Sequence, residues 1–392
     1  MKVLRVLLVL LILALPHVSR SAAPEFRGVW VHGWASGLLS RSEVDDTVRW
    51  AHDSNMNALI VQVRRVGDAY YNSSIEPRAS NIRDGADFDP LAYSIQTARS
   101  SGMGVHAWFN VFRVWSSAPK PTDPRYAVNA HPEWLTKDCD GCVQATDGEF
   151  LDPGVPAARE YIVKLVTDLL TKYDVDGVCL DFIRYPGKTW GYNDTAVALF
   201  NKEYGRTGKP AIDDPDWRQW RRDQVTATVR AIYAEAHRIR PGIMVSAATI
   251  AWGSCPEDFR KTSAYNHVFQ DWRKWMQEGI LDANMPMTYQ DPADDKQSLW
   301  FHEWMAGLKR WSYGRHVYCG LMVTKGNVDG AVSQVRTVRE SGLDGFVGFA
   351  WSQGADSTRA ALAQKVKCGI FAKSAPVPTM AWTSSAAATG TR

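Results

Sequence analysis

The chain has 392 residues, of which 45% are hydrophobic, and its formal net charge is +3. This length allows one large domain or two ordinary domains with a sizeable core. The nearly balanced charge argues against a nucleic-acid partner, because such proteins present strongly basic surfaces. The 17 tryptophans either fill a core or form the aromatic platforms on which sugar rings stack.

The first residues have the features of an export signal. Lys2 and Arg5 precede an uninterrupted apolar run over residues 6–15, and residues 21–23 (SAA) provide a cleavage site. The apolar run is too short for a comfortable membrane span. We therefore expect residues 1–23 to be removed, leaving an exported periplasmic or extracellular protein without a membrane span. An uncleaved anchor is the alternative.

After this segment, apolar segments alternate with helical patterns. The predicted strands are residues 26–32, 57–63, 104–109, 176–180, 242–250, 282–289, 316–322 and 345–351. The predicted helices are residues 44–54, 89–101, 156–172, 217–238, 271–278 and 328–341. About eight such units predict an α/β fold, a (β/α)8 TIM barrel, over residues 24–370. A doubly wound open sheet is the alternative, but it requires a glycine-rich phosphate loop, for which residues 33–37 (GWASG) are a weak match.

Three long connections follow predicted strands, over residues 112–153, 187–215 and 251–270. In a (β/α)8 barrel such connections lie at the C-terminal face, where active sites are built. The last segment, residues 371–392, is rich in Ala, Ser, Thr and Pro. This composition predicts a disordered tail.

Cys139 and Cys142 flank an Asp-Gly pair. Asp-Gly favours a two-residue hairpin turn, which would place the two thiols opposite each other. Because an exported protein meets an oxidising compartment, we expect that this pair can form a disulfide. Half of a zinc site is the alternative, but no second CxxC or pair of histidines accompanies it. The sequence contains no motif for a metal or nucleotide cofactor.

The stretch VDGVCLDFIRYP, residues 175–186, places a carboxylate at the end of a buried strand. At the C-terminal end of a barrel strand, Asp181 would point into the site. Arg184 and Tyr185 would hold it ionised by charge and hydrogen bonding. An ionised carboxylate beside aromatic surfaces suits the nucleophile of a glycosidase. A purely structural pair of Asp181 with Arg184 is the alternative.

Seven segments form an ordered series, namely FRGVWV (26–31), QVRRVGDAYY (62–71), GMGVHAWFN (102–110), HPEWL (131–135), LDPGVPAAREYI (151–162), VDGVCLDFIRYP (175–186) and MPMTYQ (285–290). Together they resemble the bacterial glycosyl hydrolase-like 10 family. The resemblance implies a barrel that acts on glycans, similar to retaining glycosidases whose nucleophile is an Asp after the fourth strand, here Asp181. The implied substrate class is the peptidoglycan strand of the cell wall. The family usually carries a His two residues before this Asp and a second Asp directly after it, where this chain has Cys179 and Phe182.

Further candidates follow the second and third strands. Arg64 and Asp68 are predicted to contact substrate, and an Arg–Asp pair that pins a loop is the alternative. His106, Trp108 and Asn110 alternate along one strand and therefore share one side. If that side is the barrel interior, Asn110 lies nearest the mouth and binds sugar hydroxyls. His106 is then a core histidine, and Trp108 is either core or platform.

A retaining mechanism needs a second carboxyl about 5 Å from the nucleophile, with a raised pKa. Glu257, after the fifth strand, is the first candidate. Asp291, after the sixth strand, is the second candidate, and Asp68 is the third. Ordinary surface loop charges are the alternative interpretation of all three residues.

The ends of late strands supply Tyr289, Gln290 and Trp351, which are predicted sugar-binding groups together with Arg184 and Tyr185. The sequence thus predicts an exported glycoside hydrolase that cleaves a polysaccharide by a carboxylate mechanism. A catalytically silent glycan-binding barrel of the cell envelope is the alternative. A deacetylase is a third interpretation, but it usually needs a His and Asp metal cluster, which the sequence does not show.

Overall fold

The computed structural model describes residues 23–116, 119–322, 328–350 and 356–383. Eight parallel strands close into a barrel: β1 Phe26–Val31, β2 Ala58–Arg64, β3 Gly104–Asn110, β4 Gly177–Asp181, β5 Met244–Ile250, β6 Ala283–Met287, β7 His316–Met322 and β8 Gly345–Phe349. Closure comes from parallel pairing of β8 with β1. The prediction of a (β/α)8 barrel is confirmed, and the open-sheet alternative is wrong.

Helices surround the barrel: Arg41–Asp53, Pro90–Ser100, Pro156–Lys172, Asp194–Tyr204, Pro215–Ile239, Trp272–Glu278, Asp295–Arg310, Val328–Glu340 and Asp356–Cys368, with the short helices Ala127–Ala130 and Ser263–Asn266. The helix between β6 and β7 has no counterpart among the predicted helices. Its buried residues do recur at helical spacing, as Phe301, Trp304, Met305 and Leu308. The nearby Leu299 is apolar but exposed, so it interrupts the helical spacing of apolar residues in the sequence.

Capping residues fix where helices begin. The Asp89 side chain accepts a hydrogen bond from the Ala92 N–H at 3.0 Å, and Pro90 occupies the first helical position, as predicted. Asp214 caps the longest helix by accepting from the N–H groups of Asp216 and Trp217. Each such cap contributes about 1 kcal/mol to helix stability. The caps therefore help to hold the helices in place around the strands.

Alternation along the strands divides the apolar residues between the barrel interior and the helix-facing surface. On β3, His106 faces the interior and contacts the Phe26 ring at 5.3 Å between centroids. Trp108 belongs to the same interior cluster, and Asn110 lines the cavity at the mouth, meaning the C-terminal end of the barrel. The predicted order along β3 is confirmed, with His106 deepest.

Residues 371–383 lie across the N-terminal end of the barrel and are called here the C-terminal segment. The Trp382 indole N–H donates to Asp282 Oδ1 at 2.8 Å. Met380 packs against the interior cluster. The prediction of a disordered tail over residues 371–392 is therefore wrong for this segment. Its few apolar side chains bind to the barrel although the surrounding composition is polar and proline-rich.

The predicted export signal lies almost entirely outside the described residues, so it stays a prediction. Within the described ranges, no helix is both long and apolar enough to cross a membrane.

Cys139 and Cys142 lie at a tight turn, but the turn pairs Cys142 with Asp138 and is therefore longer than the predicted two-residue turn. The Asp138 N–H donates to the Cys142 carbonyl at 2.9 Å. The Asp138 side chain closes the turn by accepting from the N–H groups of Asp140 and Cys142 at 2.9 and 2.8 Å. Both thiols are free in this structure, and their oxidation to a disulfide stays a prediction.

Candidate active site

A cavity of about 290 Å³ opens at the mouth of the barrel. This volume is close to the lower end of the range of about 300–1,000 Å³ that is typical of small-molecule pockets. Strand residues supply part of its lining: Trp30, Gln62, Trp108, Asn110, Asp181, Ala248, Ile250, Met287 and Phe349. Residues outside the eight barrel strands supply the rest: Trp34, Arg113, Asp147, Phe182, Arg184, Trp252 and Tyr289.

Asp181 is the last residue of β4 and is only 7% exposed. Its Oδ2 accepts a hydrogen bond from the Trp108 indole N–H at 2.9 Å, and its Oδ1 accepts from the Phe182 N–H at 2.7 Å. Burial raises the pKa of Asp181, although these two bonds and the charges of Arg184 and Arg113 act in the opposite direction. The charge of Arg184 thus acts in the predicted direction, but Arg184 and Tyr185 bind Asp147 and Asp152 rather than the Asp181 carboxyl. The direct partners of Asp181 are Trp108 and the following backbone amide.

Arg184 and Tyr185 point to different places. Arg184 lines the cavity, as predicted, and forms an ion pair with Asp147 at 3.0 Å. Tyr185 is buried away from the cavity, where its hydroxyl donates to Asp152 Oδ1 at 3.0 Å. The prediction that Tyr185 binds substrate is therefore corrected, because this side chain fixes a loop beneath the site.

Phe182 has a left-handed backbone with φ of 48°, which is uncommon for a bulky residue. Its ring lies near the guanidinium groups of Arg113 and Arg184, each 5.0 Å from the ring centroid. The turn directs the Phe182 N–H back onto the Asp181 carboxyl. Phe182 therefore contributes a backbone donor and an aromatic ring at the position where the family usually carries a second Asp.

Two tryptophans at the rim of the cavity are unusually exposed, Trp34 at 43% and Trp252 at 44%. They follow β1 and β5, respectively. Their exposed indole faces are suited to stack on the C–H faces of sugar rings. Trp108, by contrast, is 3% exposed and acts chiefly by bonding to Asp181. The sequence did not indicate either rim tryptophan as a sugar-binding residue, because neither lies within a predicted strand.

Two amide side chains in the cavity lining each have a buried polar atom without a hydrogen-bond partner among the described residues. These atoms are Gln62 Nε2 and Asn110 Oδ1. The other side-chain atoms are fixed, because Gln62 Oε1 accepts from the Gly33 N–H at 3.0 Å and Asn110 Nδ2 donates to the Arg65 carbonyl at 2.8 Å. Buried polar groups are rarely left unpaired. The pair offers one donor and one acceptor, which is what a sugar hydroxyl can use.

Arg64 and Asp68 do not line the cavity. Arg64 is fully buried, forms two bonds of 2.7 Å with the Glu76 carboxylate, and donates to the Val111 carbonyl at 3.0 Å. Asp68 accepts from the Val66 N–H at 2.9 Å, and burial raises its pKa. Their predicted contact with substrate is therefore wrong. Arg64 instead binds Glu76 and the backbone that follows β3.

The predicted general acids are also misplaced. Glu257 and Asp291 are exposed on loops and do not line the cavity. The second carboxyl of the cavity is Asp147, whose side chain is 46% exposed and lies in a turn of the long connection after β3. The sequence marked this connection as part of the site but gave no signal for the residue. Within the described ranges, no group of three or more His, Cys, Asp or Glu residues is placed to hold a metal ion.

The predicted sugar-binding residues from late strands have three different outcomes. Tyr289 lines the cavity and packs on Phe349 at 5.2 Å between ring centroids. Gln290 turns away, and its side chain donates to the Ala251 carbonyl at 2.9 Å, which corrects its predicted role. Trp351 lies outside the described residues.

An aromatic cavity around a buried carboxyl at the mouth of a (β/α)8 barrel resembles the sites of glycoside hydrolase-like proteins. The chain belongs to the glycosyl hydrolase-like 10 family, whose profile matches residues 25–325. The resemblance noted in the sequence is thereby confirmed.

Two curated relatives carry related names. The chain is 27% identical over 304 residues to glycosyl hydrolase YngK of Bacillus subtilis, covering 71% of this chain and 57% of that relative. It is also 27% identical over 315 residues to glycosyl hydrolase DigH of Escherichia coli K12, covering 70% and 67% of the two chains. The chain therefore spans little more than half the length of the Bacillus relative.

Solved glycoside hydrolases share the fold. The glycoside hydrolase domain of PgaB (BpsB) from Bordetella bronchiseptica aligns with a TM-score of 0.64 at 13% identity, covering 87% of this chain and 98% of that one. The catalytic domain of a beta-amylase from Paenibacillus polymyxa aligns at 0.61 and 12% identity, covering 88% and 100%. At such identities the likeness shows the fold alone.

Proposed function

We propose that the protein is an exported glycoside hydrolase that cleaves glycosidic bonds in a polysaccharide, with peptidoglycan glycan strands as the preferred substrate class. One observation carries the proposal. Asp181 is buried beneath an aromatic cavity, and each of its carboxyl oxygens accepts one N–H hydrogen bond. Membership in a glycosyl hydrolase-like family supports the reaction class, and the apolar run near the start of the chain supports export.

In this proposal Asp181 is the proton donor. Burial raises its pKa, so its protonated form persists to a higher pH than that of an exposed Asp. A general acid needs this property to protonate the glycosidic oxygen as the bond breaks. We propose this role in place of the nucleophilic role predicted from the sequence, because burial raises the pKa of Asp181.

Asp147 is then the second carboxyl of the reaction. Its ion pair with Arg184 suits a charged carboxylate that faces the developing positive charge at the anomeric carbon. In a retaining sequence Asp147 attacks that carbon, and Asp181 later takes a proton from the water that releases the sugar. The exposed faces of Trp34 and Trp252 hold the flanking sugar rings.

The test compares two kinds of substrate. For Asp181→Asn we expect a loss in kcat/KM of about 10²- to 10⁴-fold on denuded peptidoglycan strands or on the neutral polysaccharide that wild type cleaves. The loss should be much smaller on aryl glycosides with good leaving groups, because these need no proton. Asp147→Asn should lose activity on both kinds of substrate.

Asp140→Asn is the matched control, because Asp140 is exposed on the same connection and does not line the cavity. Equal losses for Asp181→Asn on both substrates would make Asp181 the nucleophile. Cleavage close to wild type by this variant would remove Asp181 from the reaction altogether.

The second candidate is a glycan-binding barrel without catalysis. Phe182 favours it, because the family usually carries a second Asp at this position. This candidate predicts that wild type binds glycan in calorimetry but releases no fragments in prolonged incubations followed by mass spectrometry.

A further inference from the structure

Arg113 is a cation in the wall of the cavity. It begins a short strand, Arg113–Trp115, that follows β3. Among the described residues its guanidinium forms no ion pair, and its buried Nε has no hydrogen-bond partner. Its close neighbour is the Phe182 ring. Burial lowers the pKa of Arg113, with the charge of Asp147 acting in the opposite direction.

The other charged groups of the cavity are already paired. Arg184 is bound by Asp147 at 3.0 Å and donates to the Tyr185 carbonyl at 3.2 Å. Asp181 is bound by two N–H donors. Neither carboxyl is thus hydrogen-bonded to Arg113, although the charges of both act on it, and its donors stay available to a bound molecule.

We propose that Arg113 forms an anion subsite for the carboxylate of an acidic sugar within the glycan cleft. The inference rests on the proposed function and narrows its substrate class. A guanidinium presents paired donors whose geometry matches a carboxylate. A hydroxyl of a neutral sugar can also accept a hydrogen bond from the guanidinium, but only a carboxylate accepts two of its donors side by side and neutralises its charge. The free atoms of Gln62 and Asn110 in the same cavity can fix hydroxyls of the bound glycan.

The experiment measures binding by calorimetry in the Asp181→Asn background, so that no ligand is cleaved. The ligands form two matched pairs. The first pair is a uronic acid oligosaccharide and its carboxyl-reduced counterpart. The second is denuded peptidoglycan strands, whose lactyl carboxylates are free, and the same strands with their lactyl carboxylates converted to amides. The pair whose two members bind with different affinities identifies the source of the carboxylate.

Arg113→Met should weaken binding of the free carboxylate ligand by about 10- to 100-fold and leave binding of its uncharged counterpart unchanged. Phe182→Asp is a second variant that keeps Arg113 but offers it an internal carboxylate, and it should cause the same selective loss. Asp also tolerates the left-handed backbone at this position better than Phe does. Arg125→Met is the control, because Arg125 is exposed and paired with Asp123 away from the cavity.

The subsite is overturned if carboxylate and uncharged ligands bind equally, or if both cavity variants bind the carboxylate ligand as the parent does. Glycan cleavage by wild type combined with either result would leave the proposed function standing and remove only the subsite. Absence of any glycan binding or cleavage by wild type would overturn both proposals.

Discussion

Asp282 and Asp181 lie at opposite ends of the barrel, and their surroundings differ in how completely the polar groups are paired. At the N-terminal end, fully buried Asp282 accepts five hydrogen bonds, from Tyr233, His237, the Val245 N–H, Arg315 and Trp382. At the mouth, Asp181 accepts two, and polar atoms of Gln62, Asn110 and Arg113 have no partner among the described residues.

The pKa values of the two carboxyls move in opposite directions. Burial alone would raise both. At Asp282 the bonds from His237, the Val245 N–H and Trp382 more than offset burial, and the pKa lies below its ordinary value. At Asp181 burial prevails and the pKa is raised. The N-terminal end thus stabilises the fold, whereas the mouth keeps polar groups available to a substrate.

The largest expected effect of a substitution is at the N-terminal end of the barrel. Asp282→Asn removes the buried charge that pairs with half-buried Arg315 and should lower the free energy of unfolding by about 3–5 kcal/mol. Turnover per folded molecule should stay at the wild-type value. Urea unfolding followed by fluorescence measures the first quantity, and active-site-normalised kinetics measures the second.

Asp46→Asn is the control for this substitution, because Asp46 pairs with Arg49 on the surface and such pairs contribute about 0–1 kcal/mol. A loss at Asp282 no larger than that of the control would contradict the contrast between the two ends.

At the mouth, Trp108→Phe keeps a ring but removes the N–H that binds Asp181. We expect kcat/KM to fall about 10- to 100-fold, because the hydrogen bond that positions the Asp181 carboxyl is lost. The removed bond favours the ionised carboxyl, so the pKa of Asp181 should rise further. Activity that depends on protonated Asp181 is lost as pH rises through this pKa, so the alkaline limb of the pH–rate profile should move to higher pH.

Trp275→Phe is the matched control for Trp108→Phe, because its buried N–H donates to Thr226 Oγ1 at 2.9 Å outside the cavity. If the alkaline limb of Trp108→Phe does not move, Trp108 only fills space.

The sequence predicted the barrel, the position of Asp181 and the direction of the β3 side chains, because these follow from local periodicity. It misplaced Arg64, which by simple alternation would face inwards like Gln62. A register irregularity between these two residues interrupts the pairing of β2 with β3, and Arg64 turns to Glu76. Such irregularities leave no trace in a hydrophobic pattern.

Two further misses arise from loop geometry. Tyr185 was expected beside Asp181, but left-handed Phe182 redirects the chain and Tyr185 binds Asp152. Asp147 lies on a loop that is distant in sequence from Asp181. Only its ion pair with Arg184, which the structure shows, identifies it as a residue of the cavity. Contacts of this kind depend on the path of long loops, which composition and spacing do not determine.

Substitution of the rim tryptophans should have a smaller effect, on glycan binding. Trp34→Ala and Trp252→Ala should each weaken glycan binding about three- to tenfold, because each removes one exposed stacking face. Melting temperatures should stay close to that of wild type. Tyr313→Ala is the control, since Tyr313 is also exposed but does not line the cavity. Equal binding by the rim variants and the control would rule out the stacking role.

The smallest effect is a pH dependence of stability. The pKa of Asp282 is lowered from an ordinary 3.8, so its contribution is complete above that pH and is lost as pH falls through the lower value of the folded state. We expect the free energy of unfolding to decline below about pH 4, and Asp282→Asn to show a shallower decline. Urea unfolding of both proteins from pH 3 to pH 7 checks this, and parallel curves would contradict it.

The C-terminal segment meets the beginning of β1, where the Glu25 N–H donates to the Pro376 carbonyl at 2.9 Å. Glu25 also binds Arg339 at 2.6 Å, which anchors the same corner to the helix before β8. A linker fused after residue 383 would start from the barrel end opposite the cavity. Protein coupled to a bead through such a linker would therefore present its cavity outwards, accessible to insoluble polymers that cannot diffuse to it.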